Sequence, residues 1–218
     1  MKVIVFDWDG TLADTLEGHY AANHVAMTTL GVPFDRARYR ANHAADWRLM
    51  YTRLGVAPDR LDEANALWHG ALDDHPVAPL PGARSALDRL RAAGLAIGLV
   101  TASRRSDVEP QLHAFGFDRS FDATVFGDDL PQAKPHPAPL LRAIELLRID
   151  VDPALVAYVG DVPDDMRMAR AVGARPIGIE SLLGDPGELR AAGAVHVALS
   201  VEAWVDTFLP VGATVPGG

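Results

Sequence analysis

The sequence predicts an α/β protein: a parallel sheet with helices on both faces, interrupted early by a purely helical stretch. Three observations carry this. Val3, Ile4, Val5 and Phe6 form a short, β-branched-rich apolar run without alternation, the pattern of a strand buried on both faces. Residues 15–78 show helical patterns and loops but no convincing strand. From Gly82 onward, helical patterns and short apolar runs alternate, and such alternation builds a parallel sheet from crossover units.

Each element has its own signals. After the first strand, Asp14 or Thr15 can cap a helix through Leu30, which stops before Gly31. Helices are predicted over 44–54, closed by Gly55, and from 59 or 61 to about 72. The proline-rich segment 76–82 reads as a connector back to the sheet. Helices then follow at 83–93, 107–115, 137–147, 164–172 and 201–208. Strands are placed at 96–100, 123–126, 155–159, 176–179 and 196–199. The tail 210–218 is expected to fray.

Composition narrows the function classes. At 218 residues the chain is long enough for one sizeable core and a small second module. It has no cysteine, which excludes disulfides and thiolate metal sites. A formal net charge of −9 argues against a nucleic-acid surface. The first apolar run is too short for a signal peptide or a membrane span, so a cytoplasmic protein without a membrane partner is expected. Of the 20 basic residues only Lys2 and Lys134 are lysines. A chain that uses arginine almost everywhere yet keeps Lys134 points to a compact ammonium at that position.

The strand ends carry the candidate chemistry. The first strand runs into Asp7, Trp8, Asp9, Gly10, Thr11, and ligands of open parallel sheets bind outside the carboxyl ends of strands. Two carboxylates this close raise each other's pKa unless a cation lies between them, and a hard divalent ion such as Mg²⁺ suits oxygen ligands. An Asp-Gly turn after a core strand accounts for the same residues. The next strand ends at Thr101, Ala102, Ser103, which suits an anion at a helix start or a plain helix cap. Lys134 stands in a loop stiffened by Pro135 and Pro137, beside His136, and reads as a phosphate partner or as a surface lysine. A further strand delivers Gly160 and Asp161, with Asp164 and Asp165 one turn on.

Asp7–Trp8–Asp9–Gly10–Thr11, Thr101, Lys134 and Gly160–Asp161 through Asp165, in that order, resemble the four motifs of the haloacid dehalogenase-like (HAD) hydrolase superfamily. The helical stretch resembles the small α-helical cap of its phosphoglycolate phosphatase and β-phosphoglucomutase subgroup. The resemblance implies a Rossmann-like sheet in strand order 5-4-1-2-3, a core of 1–14 and 79–218, and a cap of 15–78. It implies a Mg²⁺-dependent phosphatase acting on a small phosphorylated metabolite through an aspartyl-phosphate. Asp7 would be the nucleophile and Asp9 the general acid/base. Gly10, Thr11, Thr101, Ala102 and Lys134 would bind the phosphoryl group. Asp7, Asp161 and Asp9, the last through its backbone carbonyl, would hold Mg²⁺, with Asp165 in support. By this reading the carboxylates of Asp7, Asp9 and Asp161 converge at the site mouth.

Two positions depart from the family pattern: Ala138 stands where an acidic residue is usual, and Val162 where serine is common. A sugar-phosphate mutase would use the same core residues and is the runner-up. A haloacid dehalogenase lacks the second carboxylate that Asp9 supplies. A phosphonate hydrolase of this group needs a cap lysine, and none lies between Lys2 and Lys134. A receiver-like module that stores a phosphoryl group needs neither Asp9 nor a lid. Trp47, Arg48, His43 and His19 are the cap residues singled out as candidates for substrate contact, and the sequence does not specify an oligomeric state.

Overall fold

Strand β1 (Val3–Phe6) is buried along its whole length. It sits between neighbours on both sides and under helices on both faces, which is why its residues are uniformly apolar. The computed structural model describes residues 1–72 and 75–209. After β1 come β2 (Ala13–Asp14), α1 (Leu16–Leu30), α2 (Arg36–Asn42), α3 (Trp47–Leu54), α4 (Leu61–Leu72) and β3 (Ala78–Pro79). The chain continues through α5 (Ala83–Ala92), β4 (Ala96–Val100), α6 (Arg105–Ala114), β5 (Ala123–Val125), α7 (Ala138–Leu146) and β6 (Val156–Gly160). It ends with α8 (Pro163–Val172), β7 (Arg175–Ile179), α9 (Pro186–Ala192), β8 (His196–Ala198) and α10 (Val201–Phe208). The expected tail at 210–218 lies outside the described residues.

The six-stranded sheet runs β5-β4-β1-β6-β7-β8, and all its pairings are parallel. This is the expected 5-4-1-2-3 order with β8 added at the edge. The chain winds from β1 out to β5, then returns to the other side of β1 for β6. The carboxyl ends of β1 and β6 therefore flank the switch point, where a crevice opens in this class of sheet.

Ile4, Phe6 and Leu99 pack with α5 and α10 on one face of the sheet, while Val3, Val5 and Tyr158 pack with α7 and α8 on the other. A third cluster joins α1, α3 and α4 through Met27, Tyr51, Leu54 and Ala64, and two residues from beyond the helical stretch, Val162 and Leu183, complete it.

The helical stretch departs from expectation in detail. The predicted helix at 44–54 begins only at Trp47, where the Asp46 carboxylate accepts from the backbone N–H groups of Arg48 and Leu49. Helix α2 was not expected: Tyr39 is its only buried residue, so it has almost no apolar period to read. Its start is set by Asp35, which accepts from the Arg38 N–H at 2.7 Å. Helix α9, capped by Asp185, is equally short and was also unread. Thr15 occupies the N-cap of α1 without a side-chain capping bond. The stretch also carries one pairing not expected from its sequence, since β2 and β3 run antiparallel, Ala13 against Pro79 and Asp14 against Ala78. Among the described residues no helix is long and apolar enough to cross a membrane.

The loops after β4 and β5 lie against each other. The Gly127 N–H donates to Ser103 O at 2.8 Å, and a Cβ on Gly127 would run into the backbone carbonyl of Ala102. Gly127→Ala should therefore cost about 1–3 kcal/mol of unfolding free energy in urea titrations, the range for a group forced into a packed site. An unchanged midpoint would show that these loops can separate freely.

Candidate active site

Strand geometry sorts the residues after β1. The Asp7 N–H donates to Val159 O at 2.8 Å, carrying the β1–β6 pairing one residue past Phe6. Side chains alternate along an extended chain, so Asp7 and Asp9 turn to one side and Trp8 to the other. Trp8 is fully buried, stacked on Phe115, edge-on to Phe117, and donates Nε1–H to Gln111 at 2.7 Å. Its carbonyl accepts from the N–H groups of Thr11, Leu12 and Ala13, which folds the chain back at Gly10. Gly10 has φ +70°, and a Cβ there would lie 2.5 Å from Asp161 Oδ2. Glycine is required on both counts.

Lys134 is the hub. Its Nζ donates to Asp7 Oδ1 at 2.7 Å and to Asp165 Oδ1 at 2.8 Å, and the side chain is 3% exposed. It also lies over the Tyr158 ring, 5.5 Å from the centroid. Asp165 is fully buried, and its Oδ2 accepts from the N–H groups of Asp161 and Val162 at 3.1 and 3.2 Å. Both Asp165 oxygens are thus committed to protein donors. Asp161 differs: its Oδ2 is buried without a partner.

These charges shift one another. Burial raises Asp7 to about 7, against Lys134, with Asp165 and Asp9 adding to the rise. Burial also raises Asp161 well above the usual carboxylate range, reinforced by Asp7 and Asp165. Burial pulls Lys134 down, but Asp165 and Asp7 outweigh it and hold the ammonium well above its ordinary value. The carboxylates of Asp7, Asp161 and Asp165 lie close enough for one oxygen of each to fall within 4.8 Å of the others. With the Asp165 oxygens already filled, a hard cation fits between Asp7 and Asp161, because it would satisfy the orphaned Asp161 oxygen and relieve the repulsion between these two carboxylates.

Asp9 does not join that cluster. Its Oδ2 accepts from Ser103 Oγ at 2.6 Å and from Thr101 Oγ1 at 3.5 Å, and His19 Nε2 stands 3.8 Å from its Oδ1. The predicted convergence of carboxylates thus holds for Asp7 and Asp161, with Asp165 in the third place. Thr101 is buried and accepts from the Ser103 N–H at 3.0 Å. Ser103 was not singled out from the sequence. The available signal was its position two residues after Thr101, on the same side of the chain. Thr11 is buried with its hydroxyl unpartnered, while Ala102 is exposed.

A cavity of about 150 Å³ opens above Asp7, Asp9, Lys134 and Asp161, and residues of α1 to α4 form its far side. His19, His43 and Trp47 line it, as the sequence suggested. Arg48 does not: it lies over the Trp47 ring and bonds Asp62 at 2.7 Å. His136 is exposed and accepts from the Ala138 N–H, a local turn bond outside the cavity.

The raised Asp7 pKa has a consequence for stability. Its folded value lies above the ordinary 3.8, so the fold prefers the protonated acid. That contribution is complete below about pH 4 and is lost as pH climbs to about 7. In EDTA the chain should therefore lose on the order of 2–4 kcal/mol relative to Asp7→Asn between those limits. Urea titrations of both proteins at several pH values check this, and parallel curves would refute it.

The geometry can be set beside known proteins. A family model described as haloacid dehalogenase-like hydrolase matches residues 4–179. A phosphoglycolate phosphatase of Cereibacter sphaeroides is 35% identical over 185 residues, covering 80% of this chain and 83% of the relative. A hydrolase from Pseudomonas syringae has the same fold, with TM-score 0.83 and 24% identity over 95% of this chain and 98% of its own. The structure of CbbY from Rhodobacter sphaeroides in complex with phosphate gives TM-score 0.75 and 25% identity, covering 93% and 95%. With the model spanning most of the sequence and a curated relative above 30% identity, this chain belongs to the haloacid dehalogenase-like hydrolase family.

Proposed function

We propose that the chain is a Mg²⁺-dependent phosphatase that hydrolyses the phosphate ester of a small metabolite through an aspartyl-phosphate. Residues 1–14 and 79–218 would form the catalytic core, and 15–78 a cap that covers it. The observation that carries this reading is the environment of Asp7. Its carboxylate ends a central strand, faces a cavity, and is held by a buried ammonium on one oxygen only.

The parts divide the work as phosphoryl transfer requires, by positioning and charge compensation. Lys134 fixes Asp7 Oδ1, so the carboxylate is oriented before the ester arrives. Attack of Asp7 on phosphorus forms the Asp7–O–P bond and breaks the ester P–O bond. Asp9, steered by Ser103, gives the departing oxygen its proton. Asp9 then takes a proton from water, whose oxygen attacks phosphorus and frees Asp7. Thr101, the Gly10–Thr11 turn, Ala102 and Lys134 surround the phosphoryl oxygens. Asp7, Asp161 and the Asp9 backbone carbonyl would hold Mg²⁺, which when bound supplies positive charge against the phosphoryl oxygens. Asp165 works through Lys134, since its own oxygens are filled.

Asp7→Asn should keep the fold and abolish turnover, because an amide is too weak a nucleophile. A Mg²⁺ assay over a panel of phosphorylated metabolites, run on parent and variant, tests this. More than a trace of activity in the variant would remove Asp7 from its role.

Lys134 offers a sharper test. The ammonium sits between two carboxylates at 2.7 and 2.8 Å, with an aromatic ring beneath it. A planar guanidinium is too large for that space. Lys134→Arg should therefore be nearly as damaging as Lys134→Ala, with the loss mainly in kcat. Steady-state kinetics of the two variants settle the point, and near-parental kcat in Lys134→Arg would place the lysine outside direct contact with the reaction.

A further inference from the structure

The two halves of the cavity differ in charge. The sheet side carries Asp7, Asp9, Lys134 and Asp161. Residues 15–78 contain six arginines and no lysine, and each arginine is engaged elsewhere. Arg36 bonds Glu17, Arg48 bonds Asp62 and Arg60 bonds Glu63. Arg40 reaches Asp185 and Glu188 at the start of α9, and Arg38 and Arg53 donate to the carbonyls of Leu54 and His43. Among the described residues, 15–78 bring no Lys, Arg, Asp or Glu to the cavity.

What they bring instead is aromatic surface, the imidazoles of His19, His43 and His69, and the amides of two asparagines. Trp47 and Trp68 line the cavity together with Asn23 and Asn65. Two of these polar groups are incomplete. Asn23 is 2% exposed and donates Nδ2–H to His19 O at 2.8 Å, while its Oδ1 is buried without a partner. Trp68 Nε1–H is also buried without a partner. Buried polar groups are nearly always satisfied, so an unpaired acceptor and an unpaired donor on one cavity wall mark places for ligand atoms.

We propose that this wall selects a phosphate ester whose alcohol half is uncharged and bears an apolar face for Trp47 and Trp68. The alcohol half would also offer hydroxyl or amide groups to Asn23 and Trp68, the chemistry of a sugar or nucleoside. Alcohols carrying a carboxylate or a second phosphate are disfavoured, because this wall offers their charge no Lys or Arg and only the imidazoles of His19, His43 and His69. Arg104 lines the cavity, but from the N-cap of α6 on the sheet side, and it is exposed to solvent. This inference rests on the phosphatase reading above and adds the class of substrate.

A matched pair of esters isolates the charge: 2-phosphoglycolate and its carboxamide, assayed with Mg²⁺ beside nucleoside 5′-monophosphates and phenyl phosphate. The carboxamide should exceed the carboxylate about tenfold or more in kcat/KM, and the best ring-bearing ester should exceed both. Arg104→Ala should preserve that ranking. Trp68→Phe keeps a ring and removes the N–H. It should cost a hydroxyl-bearing ester about tenfold, and phenyl phosphate less. Melting of the Asp7→Asn protein with each ester reads binding without turnover, and should rank the esters the same way. Equal or better use of phosphoglycolate, or a ranking that reverses in Arg104→Ala, overturns the proposal. The predicted ranking in melting, with no turnover of any ester by the parent, upholds the selectivity and overturns the phosphatase reading instead.

Discussion

The buried ammonium of Lys134 is the interaction on which the site depends. It spans two carboxylates from different elements, Asp7 after β1 and Asp165 in the first turn of α8. Removing the lysine would leave two desolvated negative charges beside Asp161, a third carboxylate with an unfilled oxygen. Such a pair is costly to break because the surviving charges stay buried. Asp165 is itself secured by two backbone N–H groups at the start of α8, where the helix dipole also favours negative charge. One lysine thus transmits the position of a helix terminus to the carboxylate at the centre of the sheet.

Backbone economy around this ion pair explains several small residues. Gly160 is followed closely by Asp165, whose carboxylate occupies the space a Cβ on Gly160 would need. Gly10 similarly yields its side-chain volume to Asp161. The polar groups can therefore crowd at the switch point only because the chain supplies no side chain at two positions. Trp8 performs the opposite service, filling the far side of the turn with a fully buried indole so that Asp7 and Asp9 have a rigid support.

Much of this was legible in the sequence. The run Val3–Phe6, the returning apolar strands and the acidic strand ends are local patterns, and parallel sheets convert them into a site almost automatically. The rarity of lysine singled out Lys134 before any geometry was known. What stayed hidden depended on contacts distant in the chain. Ser103 bonds Asp9 across 94 positions, a partnership that no local period encodes. That Asp165 rather than Asp9 completes the carboxylate cluster follows from side-chain direction, which spacing alone does not give. The short helices α2 and α9 bury only Tyr39 and the pair Leu189 and Ala192, too few to set a readable period, and their caps at Asp35 and Asp185 are ordinary turn residues until the helix is seen.

The pairing of β2 with β3 has a wider consequence. Because Ala13–Asp14 and Ala78–Pro79 are zipped side by side, the chain leaves the sheet and returns to it at a single point. The intervening residues form a loop whose ends are already closed, and lengthening such a loop is cheap, about 0.6 kcal/mol for each doubling when it is flexible. A change in the length of this excursion therefore costs little chain entropy, whereas a change in its packing is felt at the site, because Val162, next to Asp161, belongs to the same apolar cluster as the helices.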